Sequence, residues 1–134
     1  MESANHVRDS FGRCTLKGDL MGRFYDIFLD SHPDIKPKFA NTDLAVQKEL
    51  LRKSISLSIM FADGKVFGKM GIDKIKDTHR RTKLNIHPNL YIHWKASLIQ
   101  AISEFDSEFD SKLKSEWEEV LNKSTEFISS GYDT

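Results

Sequence analysis

Residues 43–64 read DLAVQKELLRKSISLSIMFADG, and this stretch decides the fold class. Leu44, Leu51, Ile55, Ile59 and Ala62 fall on one helical face, broadened by Val46, Leu50 and Phe61. Thr42 or Asp43 offers an oxygen to the first unpaired N–H groups, and Gly64 closes the helix. Asp63-Gly64 would also suit a hairpin turn, but neither flank alternates with period two, so the spacing predicts a helix running to Asp63.

The same period extends in both directions. Upstream, Ser3–Cys14 reads as a short helix carrying Val7, Phe11 and Cys14. Asp19–Ser31 reads as a second helix, with Met21, Phe24, Tyr25, Phe28 and Leu29 in a wide apolar stripe. Pro33 stops it, because the residue before a proline is driven out of the helical region. From Pro33 to Phe39 a compact turn segment follows, kept short by Pro37. Downstream, a connection containing Gly64, Gly68 and Gly71 leads to a short helix with Ile72, Ile75 and His79 on one side. Pro88 suits the first turn of a helix through Leu90, Tyr91, Trp94, Leu98 and Ile102 to about Phe109. A last helix carries Leu113, Trp117, Val120, Leu121 and Ile128 and ends at Gly131. No segment alternates as a strand would. The expected class is all-α, with six or seven helices and the last two paired as an antiparallel hairpin.

The 134 residues suit one domain, 1–134, burying about two-thirds of its unfolded surface. Lys+Arg and Asp+Glu both number 20, so no global field draws the chain to nucleic acid or anionic lipid. Cys14 is the single cysteine, which removes any disulfide framework or multi-cysteine zinc site. The start MESANHVRDSFGR has no apolar signal core and no stretch reaches membrane-spanning length, so a soluble cytoplasmic protein is expected.

Three polar residues occupy positions where the periodicity calls for apolar ones: Tyr25, Gln47 and His79. A polar group turned into a core needs a partner or a ligand, since an unpaired one costs about 1–3 kcal/mol. Each is either a satisfied core residue or part of a binding site. His79 is the best metal or haem ligand, because its helix is short and its flanks are polar and glycine-containing. His87 and His93 follow at intervals matching no zinc spacing. Cys14 has no adjacent histidine or cationic cluster to activate it. No phosphate-binding glycine loop occurs. Lys74, Lys76, Arg80, Arg81 and Lys83 form a basic run that reads as a solvated face.

Phe24-Tyr25-Asp26, Phe28, Pro33 and Phe39 follow one another with Tyr25 fourteen residues before Phe39, and Gln47 stands thirty-two before His79. Beyond them come Ile86-His-Pro88-Asn-Leu-Tyr91 and Trp117. Jointly, over essentially the whole chain, this pattern resembles bacterial single-domain globins and is similar to the globin domain of flavohaemoglobins. The resemblance implies a globin fold around a b-type haem. His79 would be the proximal iron ligand, Phe39 the ring packed on the haem, and Tyr25, Gln47 and Leu51 the distal pocket. Leu84, Tyr91 and Leu98 would complete the cofactor wall. The implied function is reversible binding of dioxygen, nitric oxide or carbon monoxide at five-coordinate iron. Nitric oxide dioxygenation with a separate reductase is the alternative, followed by gas sensing or a haem-free globin-like interaction module. Flavohaemoglobins continue into flavin and nicotinamide domains, whereas this sequence stops at Thr134, so no fused reductase is expected. They also place a glutamate near the position of Tyr132, and their connection from the histidine to the tyrosine matching Tyr91 is two residues shorter.

Overall fold

Six α-helices and two 3-10 turns make up residues 2–134, which the computed structural model describes; no strand occurs among them. The helices are α1 (Glu2–Lys17), α2 (Leu20–Phe28), α3 (Leu44–Ala62), α4 (Val66–His79), α5 (Tyr91–Phe105) and α6 (Ser111–Ser129). The turns, Lys36–Phe39 and Pro88–Leu90, each have proline in their first positions. Three aspartates cap helix starts: Asp19 accepts from the Gly22 N–H at 2.9 Å, Asp43 from Ala45 at 2.9 Å and Asp110 from Leu113 at 2.8 Å.

Four boundaries depart from the sequence reading. α1 continues past Cys14 to Lys17. α2 stops at Phe28, before Ser31, whose hydroxyl instead donates to the Phe28 carbonyl at 2.7 Å. Gly68 and Gly71 lie inside α4, not in a connection. A Cβ on Gly68 would collide with the Phe61 backbone nitrogen, and one on Gly71 would meet the Leu57 side chain at 2.6 Å. These glycines serve the close approach of α4 to α3. α5 ends at Phe105 rather than Phe109 because Asp106 turns into a buried polar cluster. Its carboxylate accepts from the Ser10 hydroxyl at 2.6 Å, Arg13 Nε at 2.7 Å, Arg13 Nη2 at 3.0 Å and the Glu108 N–H at 3.0 Å. The Ser10 oxygen in turn accepts from Trp117 Nε1 at 3.0 Å, so α1, α6 and the α5–α6 corner are pinned together.

The apolar core falls into two clusters. The larger contains Val7, Phe24, Tyr25, Phe28, Leu51, Ile55, Leu98, Ile102, Trp117 and Leu121, with Phe39 and Trp94 against it. The smaller contains Leu57, Ile72 and Ile128, with Phe61, Ile75, Tyr91 and Phe127 against it. α3 serves both, because its two faces look in different directions. α5 lies chiefly on α2, and α6 on α1, α3 and α4, so the expected α5–α6 hairpin is a minor contact. No helix among the described residues is long and apolar enough to cross a membrane.

Candidate functional site

α4 ends on His79, and the chemistry of that helix end determines the state of the imidazole. The Thr78 hydroxyl donates its one hydrogen to the Ile75 carbonyl at 3.0 Å. Toward His79 Nδ1, which lies 3.0 Å from the same oxygen, it must therefore accept. The Ile75 carbonyl is a further acceptor for the ring. With acceptors only on that side, Nδ1 carries the proton and Nε2 keeps its lone pair. Nε2 makes no hydrogen bond among the described residues. Burial lowers the His79 pKa below the ordinary histidine value, partly offset by the Ile75 bond, so the ring is neutral at pH 7.

The chain after His79 folds back on α4. The Leu84 N–H donates to the Thr78 carbonyl at 3.0 Å and the Ile86 N–H to the His79 carbonyl at 3.1 Å, satisfying groups that a helix end leaves open. Leu84 itself is 59% exposed and stands outside both apolar clusters. Asn85 adopts φ +55°, a left-handed conformation that asparagine tolerates.

Tyr25 is buried in α2, and its hydroxyl donates to the Gln47 backbone carbonyl over a long 3.4 Å. Burial pushes its pKa up to about 12, so it remains a protonated donor. The Phe39 ring meets Tyr25 edge-on at 6.0 Å and Phe28 at 6.1 Å. Leu51 lies one turn beyond half-buried Gln47 on α3. Tyr25, Phe39, Leu51 and Leu98 thus share the larger cluster, while Tyr91 packs with Ile75 in the smaller one, where burial raises its pKa. No hydrogen bond or ring contact among the described residues joins His79 to Tyr25, Phe39 or Gln47. α4 packs on α3 and α6 and has no comparable contact with α2 or α5, so these groups lie on opposite sides of the boundary between the clusters.

The other histidines do not gather around His79. His87 lies against Tyr132 and His93 against His32, with ring centres 5.4 Å and 4.9 Å apart. The basic run is largely engaged: Arg80 and Lys83 reach Asp77 at 3.3 Å and 2.9 Å, Arg81 reaches Asp133 at 3.3 Å, and Lys76 lies 4.2 Å from the centre of the Phe127 ring. Arg80 Nε is buried without a partner among the described residues. Two open surface grooves, about 590 Å³ beside Leu29 and Pro37 and about 400 Å³ beside Tyr25 and Leu44, are not lined by His79.

A crystal structure of a Pseudomonas aeruginosa protein, described as structurally highly homologous to a human hemoglobin, matches this chain with a TM-score of 0.94. The two are 35% identical over 98% of this chain and 99% of that one. This chain belongs to the globin family. No protein-family model and no curated protein matches it.

Within the globin frame the donor set fits a haem. Among the described residues no three His, Cys, Asp or Glu side chains gather as a metal site, so an iron here would rely on one protein nitrogen and on its own porphyrin. His79 Nε2 is a neutral nitrogen with no hydrogen-bond partner among the described residues, the kind of donor such an iron would take. Tyr132 does not supply the carboxylate partner that flavohaemoglobins give their histidine: its hydroxyl donates to Asn85 Oδ1 at 2.6 Å. Sequence reasoning missed Thr78, which sets the tautomer of His79. The available signal was a hydroxyl residue three after Ile75 and adjacent to the histidine.

Proposed function

We propose that this globin holds haem through His79 and reversibly binds dioxygen or another diatomic gas, such as nitric oxide or carbon monoxide. The observation that carries the reading is the locked imidazole: Thr78 and Ile75 fix the proton on Nδ1, leaving Nε2 as a free, neutral donor. When bound, the haem iron supplies the position at which a gas is held. Phe39 and Leu51 offer apolar surface to the ring and keep bulk water away. The Tyr25 phenol and the Gln47 amide are donors on the larger-cluster side, suited to a gas that draws negative charge. Tyr25 gives up little to make such a bond, because its present one is long. Buried Arg80 Nε, one residue beyond His79, is a cationic donor suited to an acidic edge of the cofactor.

Nitric oxide dioxygenation with a separate reductase is the second reading, favoured by the protonated Tyr25 donor. Both readings place the protein in the cytoplasm, where buried, free Cys14 stays reduced. The test is a visible spectrum of protein purified with haem. Wild type should show a Soret band that His79→Gly abolishes and that added imidazole restores. A haem spectrum untouched by that substitution would reject His79 as the ligand.

A further inference from the structure

Asn85 is the meeting point of three chain segments. Its N–H donates to the Arg80 carbonyl at 3.0 Å, within its own loop. Its carbonyl accepts from Lys38 Nζ at 3.3 Å, and Lys38 belongs to the 3-10 turn that presents Phe39. Its side-chain oxygen accepts from the Tyr132 hydroxyl at 2.6 Å, from the turn after α6. That turn is docked on the same loop, since the Arg81 N–H donates to the Tyr132 carbonyl at 2.9 Å and the His87 ring lies 5.4 Å from the Tyr132 ring. Lys38 has no carboxylate within ion-pair distance among the described residues, and its ammonium donates to the Asn85 carbonyl instead. The left-handed φ of +55° at Asn85 turns both its carbonyls toward other segments.

We propose that Lys38 and Tyr132, acting through Asn85, are positioning residues that hold the loop after His79 against the Phe39 segment and so set how long the cofactor is retained. This rests on the haem reading above. If the cofactor were held between the Phe39 segment and His79, as the haem reading implies, its departure would require the two segments to part, and the Lys38–Asn85 bond joins them. Tyr132 holds Asn85 in the orientation that receives Lys38. A diatomic gas needs no such parting, so its release is independent of the clamp.

The experiment measures transfer of ferric haem to an excess of apomyoglobin from wild type, Lys38→Met, Tyr132→Phe and the double variant, and repeats it with haem dimethyl ester. Each single variant should lose haem roughly 3–10-fold faster, as expected for one lost hydrogen bond. The double variant should lose it by less than the product of the two factors, because both act through one residue. Asn85→Gly, which accepts the left-handed backbone and keeps the carbonyl for Lys38, should match Tyr132→Phe. The ester should show the same ratios, and carbon monoxide release should stay at its wild-type value. Unchanged transfer rates, fully multiplying factors, or a Lys38→Met effect that vanishes with the ester would each overturn the clamp; the last would make Lys38 a direct carboxylate partner. Carbon monoxide release accelerated as much as haem transfer would also overturn it, as a general loosening of the fold. Wild type that takes up no haem would overturn the haem reading, and the clamp with it.

Discussion

Asp106→Asn removes one charge from the buried cluster at the α5–α6 corner while keeping its volume. The Asp106 side chain is fully buried and receives four hydrogen bonds, from Ser10, from two nitrogens of Arg13 and from the Glu108 N–H. An amide has only one accepting oxygen, so its NH₂ must face either the Ser10 and Arg13 Nη2 donors or the Arg13 Nε and Glu108 donors. Removing one partner of a buried ion pair costs about 3–5 kcal/mol. Arg13 is 31% exposed and recovers part of its hydration, which brings the expected loss to about 2–3 kcal/mol. At about 2.1 cal/mol/K per residue, 134 residues give an unfolding entropy near 0.28 kcal/mol/K, so the melting temperature should fall by about 7–11 °C. The acid limb should change as well. Burial acts to raise the Asp106 pKa, but the bonds from Arg13, Ser10 and Glu108 together outweigh it and hold the carboxylate below its usual value. A carboxylate depressed by folding contributes stability above its unfolded pKa of about 4, and this is lost as pH falls through the folded value. Wild type should therefore lose more stability than the variant below about pH 4. Circular dichroism melts at pH 7 and along a series to pH 2.5 measure both effects. A variant melting within 2 °C of wild type, with a parallel acid limb, would refute the reasoning.

Tyr25→Phe should speed gas release from the haem-loaded protein roughly 10–100-fold, the worth of one donor to a charged acceptor; stopped-flow measurement of dioxygen dissociation checks this, and an unchanged rate would remove Tyr25 from the pocket. Gly68→Ala should destabilise by about 1–3 kcal/mol despite alanine's better helix propensity, because its Cβ meets the α3 backbone at Phe61 and Met60. A chemical denaturation curve shifted to higher midpoint would contradict that packing. Cys14 is fully buried and its pKa is pushed up to about 12, chiefly by burial, so native protein at pH 8 should react with a thiol reagent only at the rate of unfolding. Fast labelling in the folded state would show that α1 opens at that point.

Period and capping made the helices legible in the sequence. The stripe from Leu44 to Ala62, with Asp43 before it and Gly64 after it, marks α3 to within a residue. The boundaries that moved did so for tertiary reasons. Gly68 and Gly71 read locally as breakers, yet they lie within α4 because only a residue without Cβ lets that helix approach α3. The spacing carries α5 on to about Phe109, yet the helix stops at Phe105 because Asp106 is drawn inward by Arg13 and Ser10, residues more than ninety positions away. In the site, Tyr25 and His79 stood out as polar residues on apolar stripes, and both are desolvated. What spacing did not reveal is the direction of their hydrogen bonds. Tyr25 reaches the Gln47 backbone, not its side chain, and Tyr132 reaches Asn85, which only the left-handed turn brings within range.

The division of the core into two unequal clusters has a dynamic consequence. Native-state opening follows the distribution of buried contacts, and α4 gains its apolar anchorage from Ile72 and Ile75 in the smaller cluster alone. Its amides should therefore exchange with solvent deuterium well before those of α1, α2 and α5, whose inner faces meet around Trp117, Phe24 and Leu98. Should His79 hold iron as proposed, metal coordination would act as a fastener for a helix whose apolar anchorage is the smaller cluster.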